Sequence, residues 1–397
     1  MRSRSWREPT LAAHLNGQSL SIHRFFFRFA LSGANIFAWI FIFQYFYLVE
    51  PDSSHALVRT ALLYALSQTV TCLMTPYAAR LLRSGTRRSL ILATLIAATS
   101  FILLGAAFEG FWGGAYVPVA LSVFAIGLGI YRALYWIPYE VEATATEKMH
   151  PSVWSELLIT LPPVISGAYV GVIAYGPVWL LYVGAALMLV SAVPLMHLTD
   201  IHENFSWKYR ETFGQLIDPA NRAIIMHSFF EGVAGAALLL FWPLAVFLIT
   251  GWSYGMLGVV LTFTFLVAVL GRSFVRKGLR TVGLHTSGVA NVLFAVTPWM
   301  FRMLTATPLG AIAVDSYFYT TTPRRIGVDP LTFEQAADAG SFVDEYTALK
   351  EMALSLGRIA LSVVGAAAAL TLSFPAAFIL VFLAAALASA AIALGPR

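Results

Sequence analysis

The chain has 397 residues, of which 59% are hydrophobic and only 11% charged, and its formal net charge is +5. A soluble globular domain carries roughly 25% charged residues, so the composition excludes that class and indicates a polytopic membrane protein. The basic surplus is therefore read by its distribution and not as nucleic-acid affinity, and the single cysteine, Cys72, excludes an internal disulfide framework and a cysteine-based metal site.

Apolar runs of about 20 residues predict membrane spans. They fall at 24–48, 56–79, 89–108, 115–138, 153–174, 176–198, 223–249, 253–271, 282–297, 304–322, 350–371 and 374–394, about twelve in all. The polar, basic first 22 residues precede an apolar run too long for a signal-peptide core, so the first span is expected to be retained. Pro298 and Arg302 divide the ninth span from the tenth. Most connections are short, and the longer ones cover 139–152, 199–222 and 323–349. In the middle one, Tyr209, Phe213 and Leu216 are spaced i, i+4, i+7, which predicts a short amphipathic helix at the membrane surface.

The basic residues sort to one side of this topology. Arg4, Arg83, Arg87, Lys208, Arg276 and Arg324 share it, and Arg302 is the main exception on the other. Lys and Arg mark the cytoplasmic side, so both termini are expected inside, in a bacterial inner membrane, with an even number of spans.

The sequence also repeats itself. "LLRSGTRRS" from Leu81 joins spans two and three, and "FVRKGLRTV" from Phe274 joins spans eight and nine; Gly85 and Gly278 lie 193 residues apart. "SGANIFAWIFIF" from Ser32 resembles "EGVAGAALLLFW" from Glu231, at an offset of 199. "ELLITL" from Glu156 resembles "EMALSL" from Glu351, at an offset of 195. Three matches at nearly one offset argue for a duplicated six-helix unit. The domains are then a bundle over 1–198, a linker over 199–222 and a second bundle over 223–397.

Two six-span halves with a basic glycine turn after the second span of each resemble the major facilitator superfamily. Its loop motif runs Gly, three residues, Asp, a basic residue, one residue, Gly and two basic positions. Here Arg83, Gly85 and Arg87 fit, but Ala78 and Leu82 stand in the first Gly slot and the Asp slot. In the second copy Gly271, Arg276, Gly278 and Arg280 fit, and Val275 replaces the Asp. The stretches "ALYWIPYEVEA" from Ala133 and "YTALKEMALSLGRIAL" from Tyr346 are similar to uncharacterised bacterial members. The resemblance implies an all-α fold of two pseudo-symmetric six-helix bundles, with spans one, four, seven and ten lining a central cavity. In the family the Asp helps latch the cytoplasmic gate, a role left open here. The arginines serve either gating or positive-inside anchoring, and both glycines are expected to allow a tight turn between helices.

Charges deep in a bilayer cost on the order of 3 kcal/mol each, so they mark function. Glu231 and Asp315 are the only acids expected well inside spans, on two helices that the resemblance assigns to the cavity. Carboxyl groups in partly dry cavities are suited to carry protons, although a bond to a neighbouring helix is the structural alternative. His227 lies one turn from Glu231. On span one, Arg28, Ser32, Asn35 and Trp39 share a face, with Arg28 either facing the cavity or snorkelling. On span four, Arg132 is followed by Tyr135, a candidate substrate contact; Tyr139 and Tyr319 are expected in the interfacial belt. Arg358 either closes the cytoplasmic side with Glu140 or Glu142 or belongs to ordinary structural pairing, as Arg132 would with Glu156.

No HExxH or nucleotide-binding glycine loop is present, so neither an enzyme nor an ATP-driven pump is expected, and no cofactor. The expected function is secondary active transport of a small organic solute by alternating access, proton-coupled, by a monomer. The alternatives are an uncoupled facilitator, a lipid flippase, or a non-transporting sensor or scaffold.

Overall fold

The computed structural model describes residues 11–111, 113–145, 176, 178–281, 288–321 and 343–395. Among them every regular element is helical. The first half contains α1 (Leu11–Val49), α2 (Ser53–Leu81), α3 (Thr86–Phe108), α4 (Val117–Ala145) and α5 (Val178–Leu195). A seven-residue helix, α6 (Tyr209–Gln215), follows at the place predicted from Tyr209 and Phe213. Then come α7 (Arg222–Ala236), a π turn (Ala237–Phe241) and α8 (Trp242–Ile249), stacked end to end. The chain continues with α9 (Tyr254–Thr281), α10 (Gly288–Leu304), α11 (Pro308–Thr321), α12 (Val343–Thr371) and α13 (Phe374–Leu394).

Among the described residues, eight helical stretches are long and apolar enough to cross a bilayer, as a helical membrane protein requires. Two shorter apolar helices, Tyr254–Ala268 and Gly288–Leu304, accompany them. The predicted fifth span, with Glu156, lies outside the described residues.

Two sequence expectations are corrected. The ninth span does not stop before Pro298: α10 runs through it to Leu304 and carries Arg302 in its last turn. Proline at this position removes one ladder bond, which a helix packed among others tolerates. Glu231 and Asp315 are not the only buried acids. Helix α4 continues to Ala145, and Glu140, Glu142 and Glu351 are buried as well. The second basic repeat, finally, is no turn. Gly278 sits inside α9, exposed, with open space where a Cβ would be.

Helix α1 packs on α5, α2 on α4, and α3 on α4 and α5. Helix α7 packs on α12 and α13, α9 on α11, and α10 on α13. The most extensive contact is between α2 and α12. Lipid tails are as apolar as side chains, so helices in a bilayer associate through close fit and small residues. The α7–α12 crossing shows this. A Cβ on Gly357 would stand 2.0 Å from the Phe229 carbonyl oxygen, and one on Gly232 would stand 2.1 Å from that of Leu354. The two backbones touch, and only glycine permits it.

Contacts between sequence-distant elements cross the described bundle at both ends. At the end bearing Arg83 and Arg87, Phe205 is buried among Ala79, Leu82, Ile137, Val141 and Ala348, from α2, α4 and α12. At the opposite end, Trp252 lies against Phe43 and Tyr47 of α1, with ring centroids 5.5 and 4.6 Å away. Tyr254 hydrogen-bonds there to Gln44 of α1.

Candidate functional site

Three polar constellations interrupt the apolar interior. The first is in the second half. Arg302 Nη2 lies 2.8 Å from Asp315 Oδ1, and both side chains are buried. Trp242 donates its indole N–H to Asp315 Oδ2 at 2.9 Å. The guanidinium carbon is 4.4 Å from the ring centre of Trp299, 4.6 Å from Phe318 and 4.9 Å from Trp242. An arginine and its carboxylate thus sit in an aromatic cage that replaces water by ring faces. Local sequence arranges this. Pro243 has no N–H to offer the helix, the preceding turn widens into the π turn, and Trp242 emerges from its end. The sequence had placed Arg302 at the membrane surface; the structure makes it Asp315's counter-ion.

The second constellation lies midway along α1, α2, α4 and α12. Asn35, Trp39, Tyr64, Gln68, Arg132 and Arg358 are all buried. The Trp39 and Tyr64 rings meet edge to face at 5.1 Å, and Arg132 reaches over the Tyr64 ring at 5.9 Å. Arg358 donates from Nη1 to Gln68 Oε1 at 3.2 Å, across the α2–α12 contact. Helices α2 and α4 can approach here because Gly129 is bare: a Cβ there would stand 2.4 Å from the Ser67 carbonyl oxygen. Thr71 ties the crossing by donating to the Gly129 carbonyl at 3.2 Å. Among the described residues, Asn35 Oδ1, Trp39 Nε1, the Tyr64 hydroxyl, Gln68 Nε2 and Arg132 Nη1 have no hydrogen-bond partner. Buried polar atoms are nearly always satisfied, so such a concentration is unusual.

The expected cavity residues divide between these constellations and other surroundings. Asn35, Trp39 and Arg132 belong to the second. The side chain of Ser32 lies outside the described residues. Tyr135 stands apart, accepting or donating at 3.0 Å with His23 Nε2 and stacked on Phe27 at 4.6 Å and Tyr139 at 5.6 Å. Tyr139 is buried in that stack and is no belt residue. Glu231 is buried on α7, with His227 Nε2 3.4 Å away and the imidazole 40% exposed. Thus one member of this pair meets solvent or headgroups while the other is enclosed.

The third constellation is the first basic turn. Gly85 precedes α3 with φ +106°, a conformation that favours glycine. A residue without a side chain cannot cap a helix, and the first N–H groups of α3 need acceptors. They find them in the chain after α5. Asp200 Oδ1 accepts from the Arg87 N–H at 3.1 Å, and the Ile201 carbonyl accepts from the Thr86 N–H at 3.0 Å. The Thr86 hydroxyl donates to Glu142, joining α3 to α4. Arg87 also reaches the Leu198 carbonyl at 3.3 Å, and Arg83 reaches that of Phe205 at 3.3 Å. From the same segment, Ser206 donates through its hydroxyl to Glu345 of α12 at 2.8 Å. An acid therefore does meet this turn, but Asp200 supplies it from beyond α5 while Leu82 stands in the motif's slot. The side chains of Arg276 and Arg280 lie outside the described residues.

Sequence reasoning missed Tyr64, Gln68, Asp200 and Arg302. Tyr64, Gln68, Thr71 and Thr75 fall at i, i+4, i+7 and i+11 on α2 and are all buried. The stripe criterion applied to span one would have found them. Asp200 and Arg302 carried no local signal, because their partners are brought by the fold. No known family model matches the chain, and no curated protein matches it as a relative.

Proposed function

We propose that this chain is a secondary transporter of a small organic solute, built as two six-helix halves that rock about a central site, as in the major facilitator superfamily. The observation that carries the reading is the position of the second constellation. Its buried polar groups gather where α2 of the first half meets α12 of the second, joined by Gln68 and Arg358. A buried polar cluster at the seam between halves is where alternating access would place its central site. Ionisable side chains inside a bilayer are costly and mark pathways. The packing pairs add support. Counting the predicted fifth span, α1 on α5, α2 on α4 and α3 on α5 become α7 on α13, α9 on α11 and α10 on α13 when each helix moves on by six.

Within this reading Glu231 carries the coupled proton, and His227, half in the open, passes it inward. Asp315 is occupied by Arg302 and Trp242 and braces the second half. The basic end faces the cytoplasm. The test begins with a thermal-shift screen of the purified protein against a metabolite and drug library. Each hit is then offered to proteoliposomes with and without a pH gradient. Wild type should accumulate solute under the gradient, and Glu231→Gln should exchange it without accumulation. Equal accumulation by both would remove the proton and leave an uncoupled facilitator. Binding without any passage would remove transport.

A further inference from the structure

The orphaned atoms of the central constellation are not a random mixture. Trp39 Nε1, Gln68 Nε2 and Arg132 Nη1 are donors only, and the Tyr64 hydroxyl can donate; Asn35 Oδ1 is the one pure acceptor among them. Arg358 contributes indirectly: by occupying Gln68 Oε1 it turns the amide so that its NH2 group is the free end. A neutral sugar or alcohol, which brings donors and acceptors together, leaves such a site mismatched. An oxyanion brings acceptors only.

The charge balance gives the same answer. Arg132 is buried, and among the described residues its only charge-related contact is with the Tyr64 ring. A buried guanidinium without a counter-charge is costly. Asp315 is matched by Arg302, whereas among the described residues no carboxylate pairs with Arg132. The Tyr64 ring beside Arg132 meets Trp39 at 5.1 Å, and Trp39 in turn meets Phe124 at 5.9 Å, so apolar ring surface adjoins the guanidinium.

We propose that the solute is a small organic monoanion, in its simplest form a carboxylate, whose charged group docks on Arg132 and takes hydrogen bonds from Trp39, Tyr64 and Gln68. This rests on the transporter reading and names its substrate class. One cation without a carboxylate partner among the described residues fits a single negative charge, and the adjoining rings of Tyr64 and Trp39 suit an organic body better than an inorganic ion.

The test is thermal stabilisation of the purified full-length protein by matched probes: benzoate against benzamide, butyrate against butyramide, and glycerol phosphate against glycerol. The acids should stabilise and their amides should not. Arg132→Gln should weaken the carboxylate response about tenfold or more, as loss of a charged hydrogen bond does. Arg132→Lys should restore part of it. If Arg132→Gln does not fold, Gln68→Leu keeps the cation and should weaken binding severalfold. Equal response to amides, response to the phosphate ester alone, an unchanged response in Arg132→Gln, or no response to any probe overturns the proposal. The last result is expected if Glu156 already neutralises Arg132. Exchange of the bound acid across proteoliposomes is measured separately. An acid that binds through Arg132 but is not exchanged leaves the anion site standing and removes the transporter reading.

Discussion

Arg302→Met isolates what the caged ion pair contributes. The substitution fills much of the same space but leaves the Asp315 carboxylate with Trp242 as its remaining partner, where it now has an arginine at 2.8 Å and an indole N–H at 2.9 Å. Removing one member of a buried pair costs about 3–5 kcal/mol, because the other charge stays behind. Arg302→Lys separates charge from shape. It keeps the cation but loses the planar group that lies 4.4–4.9 Å from three ring centres. Each such contact is worth roughly 0.5–2 kcal/mol, so a loss of about 1–3 kcal/mol is expected with charge preserved. Replacing both members, as Arg302→Met with Asp315→Leu, should recover most of the stability, since a well-packed apolar pair is often as good as an ionic one. The assay is unfolding in mixed micelles followed by tryptophan fluorescence, read as a double-mutant cycle. A coupling energy below about 0.5 kcal/mol, or a lysine variant as stable as wild type, would refute the cage as a source of stability.

Three further expectations follow from the packing and the basic turn. Gly357→Ala would drive a methyl group to within 2.0 Å of the Phe229 carbonyl oxygen; it should part α7 from α12 and cost at least about 2 kcal/mol, visible as a fall in melting temperature. Gly85→Ala meets both a φ of +106° and an approach of 2.1 Å to Asp200 Oδ1, whereas Asp200→Asn only weakens the acceptor over α3, so Gly85→Ala should be the more damaging, with Asp200→Asn near 1 kcal/mol; the reverse order in melting temperatures would contradict the account of the turn. Cys72 is buried, so a cysteine introduced at exposed Ser84 should be the site labelled by a membrane-impermeant maleimide, and labelling of intact cells would invert the proposed orientation.

How much of this was legible in the residues follows from the range of the forces involved. A span is a local fact. Twenty apolar residues satisfy their own backbone as a helix in lipid wherever their neighbours lie, so the run from Ser53 and the run from Phe374 announce themselves. The helix at Tyr209 was readable for the same reason, from spacing alone. The sequence likewise singled out Glu231, Asp315 and Arg132, because a charge in an apolar run is conspicuous without any knowledge of its partner. Partners are not local. Arg302 looked like a surface residue until α10 and α11 folded back on one another and closed a pair across 13 residues of sequence. Asp200 reached the turn at Gly85 from 113 residues beyond Arg87. The two basic repeats read alike, yet one is a capped turn with Gly85 at positive φ and the other is helix through Gly278. The difference lies in what tertiary packing lays against each: at the first, the chain after α5 offers carbonyls and a carboxylate to the open N–H groups of α3. Composition and periodicity therefore determined the class, the helices and the conspicuous charges. Only the tertiary structure decided which charges are matched and which donors are left waiting, because hydrogen bonds and ion pairs act over a few ångströms between segments that the sequence holds far apart.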